Sequence, residues 1–472
     1  MAEIDPLEKH GRFELPDIYV ILFSFIVFVS ILTWIIPAGA YERTVLPNGR
    51  ETVVAGSYRV IEQTPVGIMD IVTSIPDGLT DASSIVFLVL LVGGAVGVVR
   101  RTGVIDLGVQ RLLGLMGSRV ELLIPTLMGG LALIAAFIGT PELSLAYLPI
   151  ILPLMLRLGY DTVTATAMVL LSTTLGFAFG ISVPATIGIG HMLAELPMFS
   201  GAGYRTAFFL VVQVSSAAFV LRYARRVKTN PETALNAEED ARLREELGDD
   251  GDEFPTFARR QQVAGIAALG MFVAFVVGVL TLGLGFEEIS GLFVAMAIIT
   301  SLIAGHRLNQ ICGNFNIAFK EILVGALICG VARGVSVVMV RGNIMDTVVF
   351  YISGLVGSLP DTFTAVGILL TQAVFNFLVP SGSGQSLITL PILIPLADLV
   401  GLTRQVVVLA THWGDGITNI VFPTSGYFIA TLVMGRVSLG TWLKFYLPFF
   451  WFVLAIAVGG LIVAQNIELG PF

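Results

Sequence analysis

Apolar runs long enough to cross a lipid bilayer recur from one end of this 472-residue chain to the other, and no other feature constrains its fold as tightly. A membrane-spanning helix needs roughly 20 mostly apolar residues, because backbone N–H and C=O groups find no water there and must bond within the segment. Runs near residues 17–36, 84–99, 204–222, 261–283, 287–304, 320–340 and 441–464 meet or approach that requirement. Hydrophobic residues make up 55% of the chain and charged residues 13%, where soluble domains carry about 25% charged. The expected class is an all-α polytopic membrane protein. A soluble enzyme, a DNA-binding module, a disordered chain and a secreted disulfide scaffold are excluded as classes. Cys312 and Cys329 imply no disulfide framework, and His10, His191, His306 and His412 have no metal-ligand spacing. No GxxxxGK[ST] sequence occurs, which disfavours an ATP-driven pump.

Some apolar stretches are interrupted. Residues 120–158 are broken by Gly139-Thr140-Pro141-Glu142, and residues 362–399 by Pro380-Ser381-Gly382-Ser383-Gly384-Gln385. Each flanking piece is short for a span, so both stretches are expected to be re-entrant hairpins. Residues 161–195 form a span broken around Gly180 to Pro184, and residues 403–432 a span broken around Asp415 to Gly426. Residues 41–62 read as strand-like, with a turn at Pro47-Asn48-Gly49. Residues 63–81 read as amphipathic, and 102–118 and 342–358 as interfacial. Residues 225–260 form a charged cytoplasmic linker with a short charged helix. Ala38-Gly39-Ala40 resembles a signal-peptidase site, but the preceding run is long for a leader and follows an acidic segment, so it is read as a retained membrane helix.

Two blocks are self-similar. RTGVIDLGVQRLLGLMGS from Arg101 matches RGNIMDTVVFYISGLVGS from Arg341, pairing Asp106 with Asp346 and Gly117-Ser118 with Gly357-Ser358. SLAYLPIILPLMLRLG from Ser144 matches SLITLPILIPLADLVG from Ser386, pairing Pro149 with Pro391 and Pro153 with Pro395. The expected organisation is an N-terminal helix and extracytoplasmic segment over 1–83, a first repeat over 84–224, the linker over 225–260 and a second repeat over 261–472. With the N-terminus cytoplasmic, the first hairpin opens from the cytoplasm and the second from outside. Arg100, Arg101, Arg225, Arg226, Lys228, Arg259, Arg260, Arg307, Arg436 and Lys444 then fall in the cytoplasm, and the C-terminus outside, as the positive-inside rule requires. Inverted repeats with broken helices are the architecture of alternating-access secondary transporters.

Broken helices expose backbone groups that bind ions and carboxylates at the midplane, so the hairpin tips and the broken spans mark the expected site. Candidate substrate ligands are Thr140, Glu142, Ser381, Gly382, Ser383, Gly384, Asp415, Asn419, Thr424 and Ser425. Candidate coupling-ion ligands are Ser182, Thr186, Asp415, Thr418 and Thr424, for Na⁺ or, at Asp415, a proton. Arg333 lies at membrane depth and is expected to pair with a buried acid or to face an anionic substrate. His191 reads as interfacial packing or, as the alternative, a relay; Trp442 reads as interfacial and Trp451 as packing. A channel would show continuous polarity along a pore instead of polarity gathered at two breaks. A membrane-embedded enzyme would need a constellation such as His412–Asp415–Ser425.

PSGSGQSLITLPILIPLADLVGLTRQ and WGDGITNIVFPTSG resemble the YfcC-like branch of the C4-dicarboxylate anaerobic carrier family, in the ion transporter superfamily with the divalent-anion/sodium symporters. GTPELSLAYLPIILP is similar to the first-half hairpin of that family. The resemblance implies a homodimer in the cytoplasmic (inner) membrane, each protomer with a scaffold and an elevator-type transport domain carrying both hairpins. It implies a small-molecule substrate, no nucleic-acid partner and no catalytic residues. The two acids Glu142 and Asp415 favour an amino acid as substrate, in particular a basic one whose ammonium or guanidinium would pair with them. The family itself favours a C4-dicarboxylate.

Overall fold

Where water is absent, a helix satisfies its own backbone, and most of this chain is helical. The structure, a computed structural model, describes residues 16–46, 51–105, 107–108, 111, 121–198, 200–246, 258–282, 284–357 and 363–470. The Pro47-Asn48-Gly49 turn, Asp106, Gly117-Ser118, Ser358, most of the expected interfacial segment 102–118 and linker residues 247–257 lie outside the described residues.

Helix α1 (Ile18–Ile35) leads into four short strands, β1 (Gly39–Ala40), β2 (Arg43–Val45), β3 (Glu51–Val53) and β4 (Arg59–Val60). They form two antiparallel two-stranded sheets, with Gly39 opposite Val60 and Thr44 opposite Thr52. Next come α2 (Ile68–Asp81), α3 (Ser83–Arg100), α4 (Leu123–Ile138), α5 (Ser144–Arg157), α6 (Thr162–Ala178), the short α7 (Ile189–Leu193) and α8 (Ala202–Thr229). The charged linker contains α9 (Ala237–Glu246). The second half consists of α10 (Arg259–Leu282), α11 (Phe286–Ala304), α12 (Leu308–Arg341), α13 (Met345–Gly357), α14 (Thr364–Leu378), α15 (Gly382–Leu399), α16 (Arg404–Thr418), α17 (Gly426–Met434) and α18 (Leu439–Asn466). Among the described residues, α1, α3, α8, α11, α12 and α18 are long and apolar enough to cross a membrane. The chain is an all-helical, multi-span membrane protein; among the described residues the strands are the short pairs after α1.

The helices pack in matching sets. α4 lies on α6 as α14 lies on α16, α5 on α6 as α15 on α16, and α8 contacts α4 and α6 as α18 contacts α14 and α16. Helices α6 and α16 pack against each other at the centre, and every residue of α6 is buried. In this dry interior two of its hydroxyls turn back on the helix: Ser172 Oγ donates to the Met168 carbonyl at 2.5 Å and Thr173 Oγ1 to Val169 at 2.9 Å. A Cβ on Gly416 would lie 2.5 Å from Ala178 Cα, so the α16–α6 approach requires glycine there.

Three expectations need correction. The second broken span was expected to open at Asp415, yet α16 continues through Thr418 and the irregular stretch is 419–425. Pro423 explains this: it lacks an N–H and pushes Phe422 out of helical geometry, whereas Gly414 and Gly416 are tolerated inside α16 because they pack tightly. The tryptophans exchange roles. Trp442 is fully buried and its Nε1 donates to the Ile420 carbonyl at 2.8 Å, while Trp451 is 63% exposed. The broken helix supplies an orphan carbonyl, and a buried indole N–H needs an acceptor. Trp442→Phe therefore leaves Ile420 unpaired and should cost about 1–3 kcal/mol, read as a lowered melting temperature of the detergent-solubilised protein. Finally, His191 is fully buried and not interfacial, with Nε2 3.3 Å from Gln405 Nε2.

The linker helix is docked. Asp240, 2% exposed, accepts the Thr162 N–H at 2.9 Å at the start of α6. Arg244 donates to the Tyr160 carbonyl at 2.8 Å, and Arg436, in the α17–α18 turn, donates to Glu239 and Glu246 at 3.1 and 2.6 Å. The Arg436 hydrogen bonds hold the Glu246 carboxyl below its ordinary range.

Candidate functional site

Both hairpins turn where the sequence breaks them. At the first tip, α4 ends on Gly139 with φ +77, a left-handed conformation suited to glycine, and Pro141–Leu143 form one 3-10 turn before α5 begins. At the second tip, Pro380 and Ser381 are irregular and α15 starts at Gly382. The arms of the second hairpin are tied by Gln385, whose Nε2 donates to Gln372 Oε1 at 2.6 Å. The first tip is tied to the first broken span, where the Ile181 and Ser182 N–H groups donate to the Ala136 carbonyl at 2.9 and 3.2 Å.

The tips and breaks converge on one cavity of about 430 Å³. From the candidate list, Thr140 and Glu142 of the first tip, Ser381, Gly382 and Ser383 of the second, Thr186 of the first break, and Asn419 and Thr424 of the second all line it. The opposite wall comes from the α2–α3 junction (Asp81, Ala82, Ile85) and from Phe286, Cys329 and Arg333. Gly384, Ser182, Asp415, Thr418 and Ser425 are not among its lining residues.

Asp415 lies immediately behind the wall. It is 2% exposed, and a Cβ added to Gly382 would sit 2.6 Å from its Oδ2 and 2.8 Å from Thr186 Cγ2. Neither Asp415 carboxylate oxygen has a hydrogen-bond partner among the described residues, and the same holds for Thr424 Oγ1 and Thr140 Oγ1. Thr418 is engaged instead: its Oγ1 accepts from Asn376 Nδ2 at 2.9 Å, and Asn376 Nδ2 also lies 3.0 Å from the Asp415 carbonyl and 2.9 Å from Asn419 Oδ1. Thr186 Oγ1 bonds His412 Nδ1 at 2.9 Å, joining the first break to α16. His412 thus meets Thr186 and not Asp415, so the His412–Asp415–Ser425 constellation does not assemble.

Three residues of the site were not anticipated. Asn376, fully buried on α14, positions the second break; its signal was a lone amide inside an apolar hairpin arm. Arg205, 1% exposed, donates Nε to the Ile181 carbonyl at 2.9 Å and Nη1 to Ser200 at 2.8 Å, so the first break is held by a guanidinium. Asp81 ends α2 and receives Arg333 Nε. Arg333 was expected to pair with a buried acid or to face an anionic substrate; it lines the cavity, and the acid it pairs with is half-exposed.

A family model described as "C4-dicarboxylate anaerobic carrier" matches residues 15–466. The chain is 31% identical over 486 residues to an Escherichia coli protein named "Putative basic amino acid antiporter YfcC", covering 94% of this chain and 95% of that one. It is 26% identical over 510 residues to a Haemophilus influenzae protein named "Uncharacterized protein", covering 99% of each. Among solved structures, it matches the Alcanivorax borkumensis YdaH transporter (17% identity, TM-score 0.41, 97% of this chain and 100% of that one). It also matches Neisseria gonorrhoeae MtrF (18% identity, TM-score 0.41, 97% and 96%).

Proposed function

The chain belongs to the C4-dicarboxylate anaerobic carrier family of secondary transporters, and from that premise we propose that it moves a small amino acid, preferentially a basic one, through the cavity between the hairpin tips. It is a transporter and not an enzyme, with a small-molecule substrate and a membrane for its surroundings. The observation that carries the substrate reading is the charge of the cavity wall. Glu142 is a carboxylate on the wall, and Arg333, the one lining guanidinium among the described residues, is already paired with Asp81. Such a wall favours a ligand that brings positive charge, since a dianion would meet the Glu142 carboxylate with no unpaired lining cation among the described residues to oppose it. The E. coli relative's name agrees with this reading. The family description supports the second reading, a C4-dicarboxylate held by Arg333 and the hairpin N–H groups.

Asp415 is the proposed coupling-ion group. An ionised carboxylate buried without partners costs several kcal/mol, so the position favours a proton or a Na⁺ ion there. Thr424, whose hydroxyl is also unpartnered, and the break residues Ser182, Thr186 and Thr418 complete the proposed ion-coupling set. Ser425, Asn419, Thr140 and the Ser381–Gly384 tip are assigned to substrate. The matching helix packing supports two repeats, inverted by the charge distribution, with α4–α8 and α14–α18 moving as an elevator against α1–α3 and α10–α12. The proposed setting is a homodimer in the cytoplasmic membrane, N-terminus inside and C-terminus outside.

Thermal-shift measurements on purified protein, with amino acids and dicarboxylates in Na⁺ or in choline at two pH values, test this through binding linkage. Arginine, lysine or ornithine should raise the melting temperature, and succinate should not. Stabilisation by succinate alone would transfer the assignment to dicarboxylates.

A further inference from the structure

The cavity wall facing the hairpin tips carries a charge pair outside the proposed transport elements. Arg333 of α12 donates Nε to Asp81 at the end of α2, and both line the cavity that Glu142 lines from the first tip. Their placement is built into the helix crossing. A Cβ on Gly78 would lie 2.4 Å from the Gly330 carbonyl oxygen, and one on Gly330 would lie 2.7 Å from Leu79 Cα. Asp81 and Arg333 each follow one of these crossing glycines by three residues, about one turn. The two helices do not depend on this pair for cohesion. Arg341 already clasps α2, with Nη1 donating to the Asp70 carbonyl at 2.7 Å and to Thr73 Oγ1 at 2.8 Å and Nη2 bonded to Asp77, and it does not line the cavity. Asp81 and Arg333 side chains are 50% and 33% exposed, a setting in which an ion pair adds little stability.

We propose that Asp81 and Arg333 form a substrate-opened ion pair that reads the 2-amino-acid head. The guanidinium fork takes the α-carboxylate, Asp81 takes the α-ammonium, and the cationic side chain is left to Glu142. This deepens the proposed function and rests on it. In the structure the two charges satisfy each other. A ligand opens the pair without loss only if it brings both opposite charges. An amine lacking the carboxylate strands Arg333, and a carboxylate lacking the amine strands Asp81, so the closed pair rejects both. Arginine is suited to this role because its planar fork grips a carboxylate through two parallel N–H donors.

The test is direct binding to the purified full-length protein, with L-arginine, its decarboxylated amine agmatine, its deaminated acid 5-guanidinopentanoate, and succinate as probes. Wild type should bind L-arginine at least about tenfold more tightly than either truncated analogue. Arg333→Gln should lose the preference for arginine over agmatine, and Asp81→Asn the preference over 5-guanidinopentanoate. Arg333→Lys, which keeps the charge without the fork, should lose most of the first preference and serves if the glutamine variant fails to fold. The exchanged double variant D81R/R333D separates recognition from architecture: it should keep the melting temperature of the free protein and still bind arginine poorly. An unchanged arginine-to-agmatine ratio in R333Q, or full arginine binding by the exchanged variant, would overturn the inference alone. Wild-type binding of succinate and not arginine would overturn the proposed function, and this inference with it.

Discussion

Asp415→Asn is expected to reduce transport to background while raising the melting temperature of the ligand-free protein. The carboxylate is 2% exposed and neither oxygen has a hydrogen-bond partner among the described residues. Asparagine has nearly the same shape and no charge to desolvate, so the free protein should gain about 1–3 kcal/mol. The variant can neither carry a proton nor offer a charged ligand to Na⁺, so the coupled step fails. Stability and activity should move in opposite directions, as at sites that keep an unfavourable group for function. A variant that transports at the wild-type rate would remove Asp415 from the coupling role. A lower melting temperature would mean that the carboxylate has partners beyond those described.

Gly382→Ala should be nearly as severe, for a steric reason. The new methyl would stand 2.6 Å from Asp415 Oδ2 and 2.8 Å from Thr186 Cγ2, both in buried residues, so the second tip must retreat from the first break and from α16. Overpacking of this kind costs about 1–3 kcal/mol, and displacing binding groups by about 1 Å can cost a hundredfold in function. Uptake should fall by about 10- to 100-fold in protein that still reaches the membrane. Gly130→Ala, on the exposed face of α4 and outside the proposed site, is the control: its added methyl meets nothing within 4 Å. Equal effects of the two substitutions would contradict the close approach of tip and carboxylate.

What the sequence displayed was the local part of this architecture. Gly139-Thr140-Pro141-Glu142 and Pro380 to Gln385 stand out because prolines, glycines and a charge interrupt apolar runs, and both tips lie at the cavity. Asp415 was conspicuous as an acid inside an apolar span, although the helix continues past it and breaks only before Pro423. The missing part is tertiary. Asp81 looked like the polar end of an amphipathic segment, and no local pattern announces a partner 252 residues away. Arg205 lies near the start of α8, and its guanidinium turns inward to the Ile181 carbonyl of the first break. Asn376 and Trp442 serve the second break in the same way. Groups that satisfy a broken backbone are chosen by distance in the fold, and distance in the chain carries no trace of it.

The central claim is that the cavity takes a cation-bearing amino acid. Proteoliposomes loaded with unlabelled L-arginine and diluted into trace radiolabelled L-arginine test it most directly, with succinate-loaded vesicles and labelled succinate in parallel. The expected result is accumulation of label in the arginine counterflow, absent in Asp415→Asn, with no succinate counterflow. Succinate counterflow without arginine counterflow would contradict the account.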